Sequence, residues 1–190
     1  MDKQKKRLIV GVSGASGSLL ALDLLRQLRR LTHWETHVVI TPCARHTLAH
    51  EIPDSPDCLD KLADFLYDPE NIGAKIASGS FRTDGMVVVP CSMKTLAGIH
   101  SGYSDNLLLR AADVTIKENR PLVLSVRESP LSPIHLRNMH QLAEIGVRIL
   151  PPMLAFYSQP ATVEEMIRQY TGKILDIFHE EPEDYKRWPG

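Results

Sequence analysis

Gly11, Ser13, Gly14, Ser16 and Gly17 crowd one turn immediately after the apolar run Leu8-Ile9-Val10. A helix is predicted to begin near Ser18, so successive backbone N–H groups and a helix N-terminus converge on one point, and both favour an anion. The spacing narrows the choice of anion. A dinucleotide site wants G-x-G-x-x-G and an acidic residue after the second strand. Here the glycines fall at 11, 14 and 17, and the second strand, Thr36 to Ile40, runs out into Thr41-Pro42. A triphosphate-binding loop needs lysine where Ser18 stands.

A mononucleotide such as FMN fits this turn, and so does a turn that merely packs a helix onto a sheet; the motif alone leaves both open. Pro90-Cys91-Ser92-Met93-Lys94-Thr95 stops a second apolar strand and offers another anion nest. Taken singly, its hydroxyls read as helix caps. Arg127 follows the strand Leu122 to Val126 and brings a planar fork suited to phosphate or a flavin carbonyl. Arg110 and Lys117 stand two turns apart on one predicted helix, on one side and about 10 Å from each other. Solvation is the usual fate of such a pair, and a phosphate site is the alternative.

Lys173 lies at the edge of the stripe Val163, Met166, Ile167, Tyr170, Ile174, Ile177 and Phe178, where it either snorkels or reaches an anion. Glu51 ends the helix after the second strand, at the ligand edge, as a general acid or base or as a solvated carboxylate. His46 and His50 are four apart, but no H-E-x-x-H accompanies them, so no metal site is expected. Trp188, in an otherwise polar tail, reads as an aromatic that docks on the core or on a neighbouring subunit.

The elements that must hold these residues alternate. Strands are predicted at Leu8 to Val12, Thr36 to Ile40, Met86 to Val89, Leu122 to Val126 and Val147 to Leu150. Helices are predicted between the first two strands and over Ala44 to Glu51, Leu59 to Leu66, Lys94 to His100, Asn106 to Glu118, Ile134 to Ile145 and Val163 to Phe178. This implies a three-layer α/β fold, a Rossmann-like or flavodoxin-like parallel sheet with helices on both faces, whose ligands bind beyond the carboxyl ends of the strands. With 190 residues, 43% hydrophobic, the chain is expected to form one domain, with tails over about 1–6 and 180–190. A net charge of −1 gives no general attraction to nucleic acid or to an anionic membrane. The apolar stretch near the N-terminus is too short for a signal or a span, and the odd count of three cysteines suggests reduced thiols; together they point to the cytoplasm.

Seven ordered motifs then carry a family resemblance: Gly11-x-Ser13-Gly14-Ala15-Ser16-Gly17, Pro90-Cys91-Ser92-x-Lys94-Thr95-Leu96, Asn106-Leu107-x-x-Arg110-Ala111-Ala112-Asp113-Val114, Arg120-Pro121-Leu122-Val123-Leu124, Arg127-Glu128-x-Pro130-Leu131, His135-Leu136-x-Asn138-Met139 and Pro151-Pro152-x-x-Ala155-Phe156-Tyr157. Together they resemble the UbiX/Pad1 family of flavin prenyltransferases, with Phe81-Arg82-Thr83-Asp84-Gly85-Met86 closest to the branch associated with phenolic acid decarboxylases. The resemblance implies metal-independent transfer of a dimethylallyl group from dimethylallyl monophosphate to N5 and C6 of reduced FMN. The prenylated FMN would serve a UbiD-type decarboxylase, and the chain would assemble as a homo-oligomer, a dodecamer, with sites between subunits.

By the same resemblance, FMN meets Gly14, Ala15, Ser16, Thr41, Ser92, Met93, Lys94, Thr95 and Arg127. The donor meets Arg110, Lys117, Arg127, Tyr157 and Lys173. Ser16, Glu51 and Glu128 are implied in proton movement, Lys117 in stabilising the leaving phosphate and Trp188 in stabilising the allylic cation. At position 173 a lysine offers a point charge instead of an arginine fork, which leaves the choice between monophosphate and diphosphate open. Two rival functions stand beside this one: an FMN-dependent decarboxylase acting directly, and a non-catalytic FMN-binding carrier subunit.

Overall fold

Strands buried on both faces need apolar residues at every position, and the run Leu8 to Val12 and the whole of Gly85 to Cys91 are buried in this way. The structure, a computed structural model, describes residues 5–182 and 185–190. Within it, β1 (Lys6–Val12), β2 (Trp34–Ile40), β3 (Phe65–Tyr67), β4 (Gly85–Cys91), β5 (Leu122–Val126) and β6 (Arg148–Ile149) form one sheet in the order β3-β2-β1-β4-β5-β6. Every neighbouring pair is parallel. The chain winds outward from β1 to β3, returns to lay β4 beside β1, and winds outward again to β6. The loops after β1 and β4 therefore diverge to opposite faces and leave a crevice, the position where doubly wound sheets bind ligands.

The helices α1 (Ser18–Arg30), α2 (Pro42–Glu51) and α6 (Val163–Ile177) cover one face through Leu24, Leu25, Leu28, Leu48, Ile174 and Leu175. The other face carries α3 (Met93–Ser101), α4 (Leu107–Lys117) and α5 (Pro133–Glu144) through Leu96, Leu108, Ala111 and Leu142. The three-layer architecture and the parallel sheet agree with the sequence expectation, and two local expectations fail. The helix predicted over Leu59 to Leu66 is a chain of turns ending in β3. Its apolar residues do have helical spacing, and Leu59 is fully buried, but Asp64 is drawn to β2 instead: its carboxylate accepts from the Thr36 amide at 2.8 Å and hydroxyl at 2.9 Å.

The second failure is at the N-terminus, where Lys6, placed by the sequence in a tail, opens β1 and pairs with Glu180 at 2.9 Å. Met1 to Gln4 of that tail, and Glu183 and Asp184 of the C-terminal tail, lie outside the described residues. Among the described residues no helix is long and apolar enough to cross a membrane.

Candidate active site at the crevice between the first and fourth strands

The glycine turn does hold an anion at the start of α1, and the anion belongs to the protein. α1 has no side-chain cap of its own. Glu51, at the far end of α2, supplies one: its carboxylate accepts from the Gly17 amide at 2.9 Å and the Ser18 amide at 2.6 Å, and the Ser16 side chain bonds to it as well. Burial alone would raise the Glu51 pKa, but the bonds from Ser16, Ser18 and Gly17 outweigh it and hold the carboxyl below its ordinary value. A phosphate at this helix N-terminus would have to displace Glu51. The sequence left open whether this turn meets a ligand or packs a helix onto the sheet; in the structure its Gly17 and Ser18 amides are taken by Glu51.

Ser13 is also spent internally. It is 2% exposed, its hydroxyl donates to the Pro90 carbonyl at 2.9 Å, and its oxygen accepts from the Ser92 amide at 2.8 Å. It is therefore a stitch between the loops after β1 and β4. Gly14 lets this turn approach α2: a Cβ at Gly14 would stand 2.5 Å from the Cys43 Cβ, closer than any real contact.

With the α1 terminus filled, the helix N-terminus left open at this edge is that of α3. Ser92 caps that helix, accepting from the Thr95 amide at 3.3 Å and donating to the Thr95 hydroxyl oxygen at 3.1 Å. The Met93 and Lys94 amides, in the first turn, have no intrahelical acceptor. A cleft of about 430 Å³ opens here, lined by Gly14, Thr41, Ser92, Lys94, Thr95 and Asn106. Lys94 and Arg127 are exposed, and among the described residues their charged groups have no ion-pair partner. Thr41 accepts from the Ala44 amide at 3.2 Å as the cap of α2. Asn106, which the sequence reading used only within a motif, caps α4 and lines the cleft; its place as an N-cap ahead of Leu107 and Leu108 was the available signal.

The other candidate residues lie elsewhere on the protomer. α4 begins at the cleft, and Lys117 ends it ten residues on, about 15 Å along the axis. Arg110 donates to the Ala77 carbonyl at 3.3 Å and pairs with Asp113 at 2.7 Å, while Lys117 pairs with Glu118. Lys117 also stands beside Gly79, so both cations face the segment 75–79, on one side of α4 as their spacing predicted. Glu128 is exposed and accepts from the Ser129 amide at 3.0 Å.

Tyr157 and Trp188 meet edge to face with ring centroids 5.4 Å apart, and Trp188 is 69% exposed. Lys173 pairs with Asp176 at 2.8 Å, a bond that raises the lysine pKa. His46 lines a separate hollow with Arg45, Tyr67 and Asp68, and no cluster of three or more metal-ligating side chains exists among the described residues. Cys91 is fully buried, which pushes its thiol pKa far up.

Residues 1–176 match the family model described as Flavoprotein. Flavin prenyltransferase UbiX of Escherichia coli (strain K12) is 52% identical over 187 residues, covering 97% of this chain and 99% of that protein. Two solved structures superpose closely. A dodecameric FMN-dependent UbiX-like decarboxylase from Escherichia coli O157:H7 gives a TM-score of 0.94 at 50% identity, covering 97% of this chain and 100% of the other. AnUbiX in complex with FMN and dimethylallyl pyrophosphate gives 0.95 at 46% identity, covering 98% of each chain. The crevice between β1 and β4 thus sits in a fold shared over nearly its whole length, and the chain belongs to the UbiX-like flavin prenyltransferases of the flavoprotein family.

Proposed function

We propose that this protein transfers a dimethylallyl group from dimethylallyl monophosphate to N5 and C6 of reduced FMN and passes the prenylated FMN to a UbiD-type decarboxylase of aromatic acids. The observation that carries the reading is the cleft at α3, where the free amides of the first turn, the hydroxyls of Thr41, Ser92 and Thr95 and the exposed Lys94 surround a space suited to a phosphorylated ring compound. FMN fits these residues: its phosphate goes to the first turn of α3, and its ring to the Gly14, Ala15 and Ser16 edge. When bound and reduced, FMN supplies the nucleophilic ring atoms.

The chain's own residues do the rest. Breaking an allylic C–O bond leaves negative charge on phosphate, and Arg110, Lys117, Arg127 and Lys173 stabilise that charge as fixed cations. Tyr157 and Trp188 offer an aromatic wall that excludes water and attracts a developing allylic cation. Loss of a ring proton needs an acceptor. Glu51, held below its ordinary pKa and bonded to two amides, is a poor one. Its work is to hold Ser16 and the turn in place, which leaves Ser16, Glu128 or the released phosphate to take the proton.

Lys117 lies at the far end of α4 from its own protomer's cleft, beside Gly79, so a complete site takes it from another copy, in a homo-oligomer like the dodecameric relative. The setting we assign is the cytoplasm, and the unit a single domain over 1–190. Anaerobic incubation with reduced FMN and dimethylallyl monophosphate tests the function: phosphate should appear in step with loss of free reduced FMN. Release of carbon dioxide from a phenolic acid by this protein alone would instead favour a direct decarboxylase. Tight FMN binding without phosphate release would favour a carrier.

A further inference from the structure

Gln169 is a polar residue in the buried part of α6, 6% exposed, and among the described residues its side chain bonds to the C-terminal tail and to Tyr157. Its Nε2 donates to the Lys186 carbonyl at 2.8 Å and to the Tyr157 hydroxyl at 3.1 Å, and its Oε1 accepts from the Lys186 amide at 3.0 Å. One side-chain amide therefore pairs with both backbone groups of a tail residue, as a neighbouring strand would, and also fixes the phenol. The Lys186 ammonium adds a third anchor, donating to the Ser158 carbonyl at 3.0 Å. The helix surface is shaped for the tail: a Cβ on Gly172 would stand 2.8 Å from the Tyr185 Cβ. Two residues past Lys186, Trp188 presents its ring edge-on to Tyr157.

We infer that Gln169 is a positioning residue for the prenyl donor: by latching the tail at Lys186 and holding the Tyr157 hydroxyl, it builds the aromatic corner against which an allylic phosphate lies. The inference rests on the prenyl-transfer reading above. Gln169 touches neither FMN cradle nor leaving phosphate, so its loss acts on the donor side alone. Without it, the Lys186 amide loses its acceptor and the carbonyl keeps only the Tyr157 hydroxyl, at 3.2 Å, so the tail loosens on α6 and Trp188 loses its fixed place against Tyr157.

Two variants test this without disturbing the sheet. Gln169→Leu removes the latch, and Gly172→Ala keeps Gln169 but pushes the tail off the helix while adding a good helix former. Each should raise KM for dimethylallyl monophosphate about tenfold, the scale expected from losing one or two net hydrogen bonds, and leave the FMN dissociation constant unchanged. Trypsin should clip at Lys186 and Arg187 faster in both variants than in wild type, a readout independent of turnover. Combining Gln169→Leu with Trp188→Ala should cost clearly less than the sum of the two single losses, since both act on one corner. An unchanged donor KM, equal losses of donor and FMN affinity, unchanged tail cleavage, or additive losses in the double variant would each overturn the inference. Wild-type protein that turns over no donor would instead overturn the prenyl-transfer reading, and the trypsin comparison would still decide the latch.

Discussion

Glu51 shows how one carboxylate alters the meaning of a motif. The glycine turn was legible as an anion cradle, but nothing in its spacing said that the anion would come from thirty-odd residues downstream. That pairing depends on α2 ending beside the start of α1, a tertiary fact. Gln27, Asp23 and Thr171 give a parallel case, a buried polar set between α1 and α6 that no local pattern announces. For Glu51→Gln we expect a loss of about 1 kcal/mol at neutral pH, the size of a helix cap with a favourable dipole contact. The sign follows from the direction of the shift. The Glu51 pKa is lowered on folding, so its contribution is present above the ordinary carboxylate value of 4.5 and fades as pH falls below it. Chemical denaturation of both proteins at pH 7 and pH 3.5 checks this: the gap should shrink in acid, and a constant gap would show that charge is not involved.

The elements were read well where a strand is buried on both faces or a helix carries a continuous stripe. β1, β2, β4 and β5 and helices α1 and α6 lie within a few residues of their predicted bounds. The failure at β3 has a physical cause: three residues at a sheet edge, with Phe65 and Leu66 exposed, carry no alternation, and the preceding turns bury Leu59 at what looks like helical spacing. Candidate residues at strand ends were legible for the same reason as the sheet, because strand ends follow from strands. Gln169 was not, since a glutamine within a helical stripe reads as solvated until the tail is seen to cover it. The junction of β1 with α2 makes its own prediction. Gly14→Val should destabilise the fold by roughly 1–3 kcal/mol through overpacking against Cys43, and Cys43→Gly in the same chain should recover part of that loss. Thermal melts of the wild type and both variants read it; an unaltered melting temperature for Gly14→Val would contradict the close approach.

On the scale of the whole molecule, the flavin cleft, the α4 cations and the aromatic corner occupy three places on one protomer. α4 starts at the cleft and carries Lys117 to its far end. Exposed Met153, Leu154, Phe156 and Ile145 supply apolar surface of the kind that subunits cover. A site shared between copies predicts complementation. Co-expressed Lys117→Ala and Ser16→Ala chains, each inactive alone, should assemble into mixed oligomers with about a quarter of wild-type activity, because random pairing leaves that share of sites with both residues intact. A mixture as inactive as its components would place both residues in one protomer's site.

If the cleft serves prenyl transfer, the mass of the bound flavin must change. After anaerobic incubation of the purified protein with reduced FMN and dimethylallyl monophosphate, the flavin extracted from the protein should be heavier than FMN by one dimethylallyl group in place of hydrogen, with one phosphate released for each. Flavin recovered at the mass of FMN, with the donor intact, would contradict the account.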